Sequence, residues 1–247
     1  MLELLAVAVA GAAAGAANSI AGGGALITFP TMVSLGVPPL TANVTNTVGI
    51  VPASVGGALG YADLLREQGQ RFARLLAPLL LGAAVGSAAL LLTSNQTFEA
   101  IVPALIAASC LLLLLQPRLV PHLSHAGNER SPFLFAGIAF CGAYNAYFGS
   151  AVSILIFAIL ALFVADTLQH LNAIKILLAG ASNLLAALIF AFLAPVEWRY
   201  ALTIGVSSFA GGRVGAHYAR RVPADPLRIS IAAVGLVVAA VLAVRAV

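Results

Sequence analysis

Charge is what this chain has least of. Among 247 residues there are 12 Lys plus Arg and 8 Asp plus Glu, so 8% are charged and 62% are hydrophobic, where a soluble domain carries about 25% charged residues. That shortage excludes a soluble globular domain, which could not cover its surface. Lysine occurs once, at Lys175, and cysteine twice, at Cys110 and Cys141. Both cysteines fall in apolar segments and read as packing residues, not as a disulfide or a metal site. All eight acidic residues (Glu3, Asp63, Glu67, Glu99, Glu129, Asp166, Glu197 and Asp225) lie at or near the ends of apolar segments. This excludes the buried carboxylate relay of a proton-driven cation carrier. The sequence has no carboxylate pair, no metal-spaced His or Cys cluster, no Ser/His/Asp set at one depth and no nucleotide-binding motif. No catalytic residue, metal, cofactor or nucleic-acid partner is therefore expected.

What is present is long apolar runs, at roughly 2–36, 40–61, 72–92, 98–116, 132–163, 167–193, 199–218 and 227–246. Most exceed the ~17–20 residues that span a bilayer. Inside lipid every backbone polar group has to be satisfied within the segment, so the expected fold is all-α, a polytopic membrane helical bundle. The first run imitates a signal peptide, but it begins Met1-Leu2-Glu3 with no basic stretch, and it is read as part of the bundle.

The chain also contains itself twice. Gly15-x-x-Asn18-x-x-x-Gly22 returns 127 residues later as Gly142-x-x-Asn145-x-x-x-Gly149, and Thr45 meets Asn172 at the same offset. After a slip of two residues Gly82 and Gly86 meet Gly211 and Gly215. Chance recurrence of small residues is the plainer reading, but an Asn in an apolar stretch is uncommon and here two are in register. Residues 1–120 are read as a first repeat, 121–131 as a cytoplasmic linker and 132–247 as a second repeat of inverted topology. Each repeat opens with a long element interrupted by glycine, Gly22-Gly23-Gly24 in 2–36 and Gly142 to Ser150 in 132–163. Paired interruptions at matching positions point to a transporter binding site, although small residues also serve close helix packing.

Suppose each broken element returns to its own side and the other six helices cross once. Nine arginines (66, 71, 74, 118, 130, 213, 220, 221 and 228) then share one face, and only Arg199 and Arg245 lie on the other. The positive-inside rule makes the nine-arginine face cytoplasmic and both termini external. Charge alone leaves open whether the broken elements are re-entrant or pairs of full crossings.

Lys175 stands nine residues past Asp166, the expected N-cap of its helix, at a depth of ~13 Å in a ~30 Å hydrocarbon core. Asn172, Lys175, Ala179 and Ser182 follow at helical spacing and form one polar and small stripe, with His170 turned toward the entrance. A buried lysine of this kind is waiting for an anion, paired within the protein, or solvated by cavity water. Helix breaks aim free N–H groups and positive dipole ends at whatever sits between them, so lysine, Asn and Thr together make an anion cradle. The candidate substrate-binding residues are Asn18, Gly22, Gly23, Gly24, Thr45, Asn46, Asn145, Gly149, Ser150, His170, Asn172 and Lys175.

The run Gly11-x3-Gly15-x2-Asn18-x3-Gly22-Gly23-Gly24, followed by Pro30, Leu35-Gly36-Val37-Pro38 and Thr45-Asn46-Thr47, resembles the sulfite exporter TauE/SafE family. The second half continues the likeness through Asn145, Gly149 and Gly211-Gly212-x2-Gly215. The resemblance implies export of sulfite, sulfoacetate, thiosulfate or a related sulfur oxyanion or organosulfonate across the cytoplasmic membrane. The halves diverge at Gly56 and Asn183 and at Val48 and Lys175, so an asymmetric site is expected. The resulting expectation is an alternating-access carrier in the lipid bilayer, with a passive anion channel as the alternative. The sequence does not decide between a monomer and a homo-oligomer.

Overall fold

Ten helices and no strand make up the described part of the chain, in a computed structural model that describes residues 1–20, 22–60, 63, 68–119, 128–218 and 224–245. In chain order they are α1 (Leu2–Ile20), α2 (Ala25–Ser34), α3 (Pro39–Gly60), α4 (Gly69–Leu92) and α5 (Asn95–Leu119). The second half gives α6 (Pro132–Tyr147), α7 (Val152–Phe163), α8 (Leu168–Leu193), α9 (Trp198–Tyr218) and α10 (Ala224–Arg245). Arg66, Glu67, Arg220, Arg221 and residues 121–127 of the expected linker lie outside the described residues, as do the side chains of Arg118, Asp225 and Arg245.

The apolar runs became helices within a few residues of their expected limits. Among the described residues five helices are long and apolar enough to cross a membrane: α1, α4, most of α5, α8 and most of α10. The helices α3 and α9 have the length, at 22 and 21 residues, but are less apolar. They pack on each other in the interior, where Thr, Asn, Ser and Gly replace the leucines that lipid would require. The broken elements are neither two half-helices nor two full crossings. Each joins a longer helix to a shorter one, 19 and 10 residues in the first and 16 and 12 in the second.

Two faces of the bundle are defined by the ends of α8, 26 residues or about 39 Å apart. On one, Glu3 accepts from the Tyr200 hydroxyl, tying the start of α1 to the start of α9. Val37 and Pro38, just past α2, line a groove there with Glu99 and Leu242. The first element therefore leaves and returns on the face that carries Glu197. The second element starts on the opposite face, where Glu129 precedes α6 and pairs with Arg71 of α4.

Small residues bring the helices together. Gly15 of α1 lies so close to α9 that a β-carbon would meet Ser208 O at 2.1 Å, and at Gly142 of α6 it would meet Leu79 O of α4 at 2.1 Å. Gly211 and Gly215 abut Ala12 and Ala16, as Gly82 and Gly86 abut Ala139 and Ala143. The offsets read from the sequence thus carry contact onto contact. Numbers rise together along both members of each pair, so α1 runs parallel to α9 and α6 to α4.

The Asp166 face is held by ion pairs. Arg71 reaches Glu129 at 2.7 Å and Asp166 at 2.7 Å, Arg74 reaches Glu129 at 3.1 Å, and His170 meets Asp166 at 2.6 Å. The N-cap of α8 is Thr167, whose hydroxyl accepts from the His170 N–H, and not Asp166 as the sequence suggested. Asp166 is instead drawn into the cluster and accepts from Thr167 N–H. Burial by itself would raise its carboxyl, but hydrogen bonds from Arg71, His170, Thr167 and Gln68 hold it well below the usual carboxylate range. Glu129 is lowered by its hydrogen bond from Arg71, against the opposing effect of burial. Groups lowered on folding stabilise the native state above their unfolded values, and that stabilisation is lost as pH falls through and below them. Thermal stability is expected to decline from about pH 4.5 downward. Asp166→Asn should cost about 1–3 kcal/mol at pH 7 and flatten the acid limb below about pH 4, as melting curves carried from neutral pH down to about pH 2 will read.

Candidate functional site

Both long elements break by the same backbone device. At the end of α1, Gly22 adopts φ 87° and its N–H donates to Ala17 O at 2.7 Å. At the end of α6, Gly149 adopts φ 76° and its N–H donates to Tyr144 O at 3.1 Å. A left-handed residue bonding five positions back closes a helix C-terminus, and glycine reaches that conformation without a β-carbon penalty. The chain then restarts as α2 and α7. The two restarts abut, since a side chain at Gly22 would meet Cβ of Ser153, in the first turn of α7, at 3.2 Å.

Between the breaks lies a cavity of about 40 Å³. On the measure by which one water needs about 10–15 Å³, it admits a few waters or one compact polyatomic ion. Its polar lining comes from α1 (Asn18, Ser19), α3 (Asn46, Thr47, Ser54), α6 (Asn145), α7 (Ser153) and α8 (Asn183), and Phe148 and Ile176 supply apolar wall. No charged side chain lines it among the described residues.

The hydrogen bonds give this lining a sign. Asn18 Oδ1 accepts from Gly24 N–H at 2.7 Å, Asn46 Oδ1 accepts from the Thr28 hydroxyl, and Asn183 Oδ1 accepts from Asn145 Nδ2 at 3.1 Å. Three amide oxygens are thus satisfied inside the protein. Their three NH₂ groups make no hydrogen bond among the described residues, and neither do the hydroxyls of Ser54 and Ser153. Asn145 is committed, donating to Ala179 O, the Ser182 hydroxyl and Asn183 Oδ1. It fixes the amide that faces the cavity. Three amide donors are thus left to the cavity, beside two hydroxyls that can donate or accept and Asn145 Oδ1, which accepts from no described residue. Donors outnumber acceptors, so the site is suited to a ligand that is mainly a hydrogen-bond acceptor.

Of the residues expected from the sequence, Asn18, Gly23, Asn46, Asn145 and Gly149 line the cavity and Gly22 abuts its wall. Gly24 supplies the N–H that orients Asn18, and Ser150 O accepts from the Ser109 hydroxyl behind the wall. The other four lie outside the lining. The Thr45 hydroxyl accepts from Glu197 N–H at 3.0 Å, and His170 belongs to the Asp166 cluster. Lys175, 3% exposed, donates to Asn172 Oδ1. It stands one helical turn from the lining residue Ala179, toward the Asp166 face. Sequence reasoning missed Ser19, Thr47, Ser54, Ser153 and Asn183 as lining residues. The signal for α3 was available, because Asn46, Thr47, Ile50, Ala53 and Ser54 share one helix face.

Comparison with known proteins agrees in class. The chain is 29% identical over 225 residues to a probable membrane transporter protein, ORF9, of Sinorhizobium sp, covering 85% of this chain and 81% of that one. It is 25% identical over 204 residues to the probable membrane transporter protein YfcA of Escherichia coli strain K12, with 82% and 75% covered. A probable membrane transporter protein of Haemophilus influenzae is 26% identical over 210 residues, with 81% and 78% covered. The family model described as Sulfite exporter TauE/SafE matches residues 7–242. With its apolar helices, paired helix breaks and that match, the chain belongs to the sulfite exporter TauE/SafE family and is a multi-pass membrane transporter.

Proposed function

We propose that this protein is a carrier that exports a small sulfur oxyanion, sulfite first, across the cytoplasmic membrane by alternating access between two inverted repeats, residues 1–120 and 132–247 joined by the linker 121–131. The observation that carries the anion is the lining itself: three asparagine oxygens held by protein donors and three NH₂ groups left to the cavity. The helices α2 and α7 start at the wall where α1 and α6 end, so their opposed helix dipoles offset one another and the side-chain donors set the sign. The family match supports the sulfur chemistry.

On this reading the Asp166 face is cytoplasmic, with its arginines Arg71, Arg74 and Arg130, and the Glu197 face is external. The inside-negative potential then drives export, at ~2.3 kcal/mol per 100 mV for one charge. A cysteine at Arg130, an exposed site, should react only with reagent supplied from the cytoplasmic side. Reaction from outside alone would reverse the orientation.

Lys175 sits on the cytoplasmic approach. It lies outside the lining, one helical turn from Ala179, and at an effective dielectric near 20 a charge about two hydrogen-bond lengths or more from an ion contributes on the order of 2 kcal/mol of attraction. Lys175→Ala is expected to weaken anion binding about 10–30-fold while leaving the protein inserted and folded, since deleting an intramembrane charge relieves an insertion cost. A normal affinity, or a loss of folded protein, would make Lys175 structural.

Thermal unfolding of the purified transporter against sulfite, sulfate, thiosulfate, sulfoacetate, phosphate and carboxylates tests the proposal, because a ligand of the native state raises its stability by mass action. Stabilisation by sulfur oxyanions supports it. Stabilisation confined to carboxylates or phosphate would assign another substrate.

A further inference from the structure

Resting on the carrier reading just proposed, we infer that Asn43 and the rings of Phe29, Phe98 and Phe148 form the gate that closes the cavity to the Glu197 face, and that it opens by release of the Asn43 side chain from the end of α6.

The rings are stacked on one side of the cavity. Phe148 belongs to its lining and stands edge-on to Phe29 of α2, with ring centroids 5.9 Å apart. Phe98, in the first turn of α5, packs on Phe148 at 6.4 Å and on Tyr147 at 6.2 Å. None of Phe29, Phe98 and Phe148 is more than 2% exposed. The helix α2 runs from the cavity to the Glu197 face and α5 starts there, so the rings fill the space between. An ion entering them would shed its water with no polar group to replace it.

Asn43 holds this seal shut. It is 1% exposed and stands one helical turn from the lining residue Thr47, toward the Glu197 face. Its Nδ2 donates to Tyr147 O, beside Phe148, at 2.9 Å. Tyr147 O is among the last carbonyls of α6, left without a helical partner where Gly149 ends the helix. The bond therefore joins α3 to α6 through a side chain, which rotation can release.

The helices it joins belong to two seamed units. A β-carbon at Gly56 of α3 would meet Phe209 O of α9 at 2.4 Å, and α1 is fixed to α9 through Gly15. On the other side α6 is seamed to α4 through Gly82, Gly86 and Gly142. Between the units the neighbours are side chains: a β-carbon at Gly57 would meet Ile176 Cγ2 at 3.4 Å, and one at Gly180 would meet Ser54 Cβ at 2.7 Å. The units can part there without breaking a backbone seam. The gate side chains are also confined to one half of the repeat. At the 127-residue offset Phe29, Phe148 and Asn43 meet Ile156, Ala21 and His170, and His170 pairs with Asp166 just before its own helix.

The test follows labelling of a cavity cysteine, Ser153→Cys, by a membrane-impermeant maleimide in the full chain freed of Cys110 and Cys141, in sealed right-side-out and inverted vesicles. Labelling from outside is expected to be slow. Asn43→Ala should speed it about 2–10-fold, the population shift from losing one neutral hydrogen bond, and Phe148→Ala at least about tenfold. Phe133→Ala, which removes an exposed ring of α6, should change nothing. Asn43→Ala leaves the lining in place, so it decides the matter if Phe148→Ala fails to fold. Unchanged external labelling in Asn43→Ala would overturn the gate. So would an equal rise from both sides, which is general loosening, or a rise in inverted vesicles alone, which would put the seal on the cytoplasmic face. The assay needs no substrate: the expected labelling without any sulfite flux would remove the sulfite reading and leave the gate standing.

Discussion

Gly142→Leu is expected to leave little or no folded transporter. A β-carbon at that position would lie 2.1 Å from Leu79 O and 3.0 Å from Ala83 N, and both are backbone atoms of α4 that cannot rotate away. Overpacking in a core that can adjust costs about 1–3 kcal/mol. Here the contact is between two helix backbones, so the helices have to separate along the seam that also holds Gly82 against Ala139 and Gly86 against Ala143. In lipid no hydrophobic drive recloses such a seam, because association rests on this close approach. Gly15→Leu should fail in the same way against Ser208 O of α9. Gly69→Ala is the control, with open space around it and no left-handed backbone. Yield of monodisperse protein in mild detergent is the readout. Wild-type elution and melting for Gly142→Leu would mean that the seam is looser than the geometry requires.

The second large effect concerns the sign of the site. Asn46→Leu removes one uncommitted donor and leaves the Thr28 hydroxyl only the longer bond to Gly24 O at 3.5 Å. Loss of a buried hydrogen bond to a charged partner corresponds to about 1.5–3 kcal/mol, or roughly 10–100-fold in affinity. Asn46→Asp is more telling. The carboxylate can still accept from Thr28, but it replaces the cavity-facing NH₂ by negative charge, so sulfite binding should fall further than in the leucine variant. A site built for a cation would behave in the opposite way and gain affinity in Asn46→Asp. Isothermal titration of both variants against sulfite separates the two. Asn145→Leu should act through Asn183, whose amide it orients, and lower both affinity and melting temperature.

Much of this was legible in one dimension because hydropathy is a one-dimensional signal. The run at 72–92 became Gly69–Leu92 and that at 199–218 became Trp198–Tyr218. The breaks were legible because glycine at Gly22 and Gly149 is needed for a backbone conformation that few other residues adopt. Other features required three dimensions. The uneven division of each long element depends on where the left-handed residue falls, not on the length of the apolar run. The stripe of Asn172, Lys175, Ala179 and Ser182 is real as a helix face. Side chains on a helix, however, lean toward its N-terminus, so Lys175 reaches Asn172, one turn back, while Ala179 borders the cavity. Asn183 was visible only as a mismatch with Gly56. Its meaning came from Asn145, 38 positions away in sequence and 3.1 Å away in space. Amide orientation, which sets the sign of the site, has no signature in composition or spacing.

The central claim, a carrier that binds a sulfur oxyanion between two helix breaks, is tested most directly by counterflow in sealed proteoliposomes of the purified protein. Vesicles loaded with unlabelled sulfite and diluted into a trace of radiolabelled sulfite should accumulate label transiently above its equilibrium level, and Asn46→Asp should abolish the overshoot without loss of reconstituted protein. Label that enters without an overshoot and at a rate indifferent to internal sulfite would make the protein a channel. Absence of any protein-dependent sulfite flux would contradict the account as a whole.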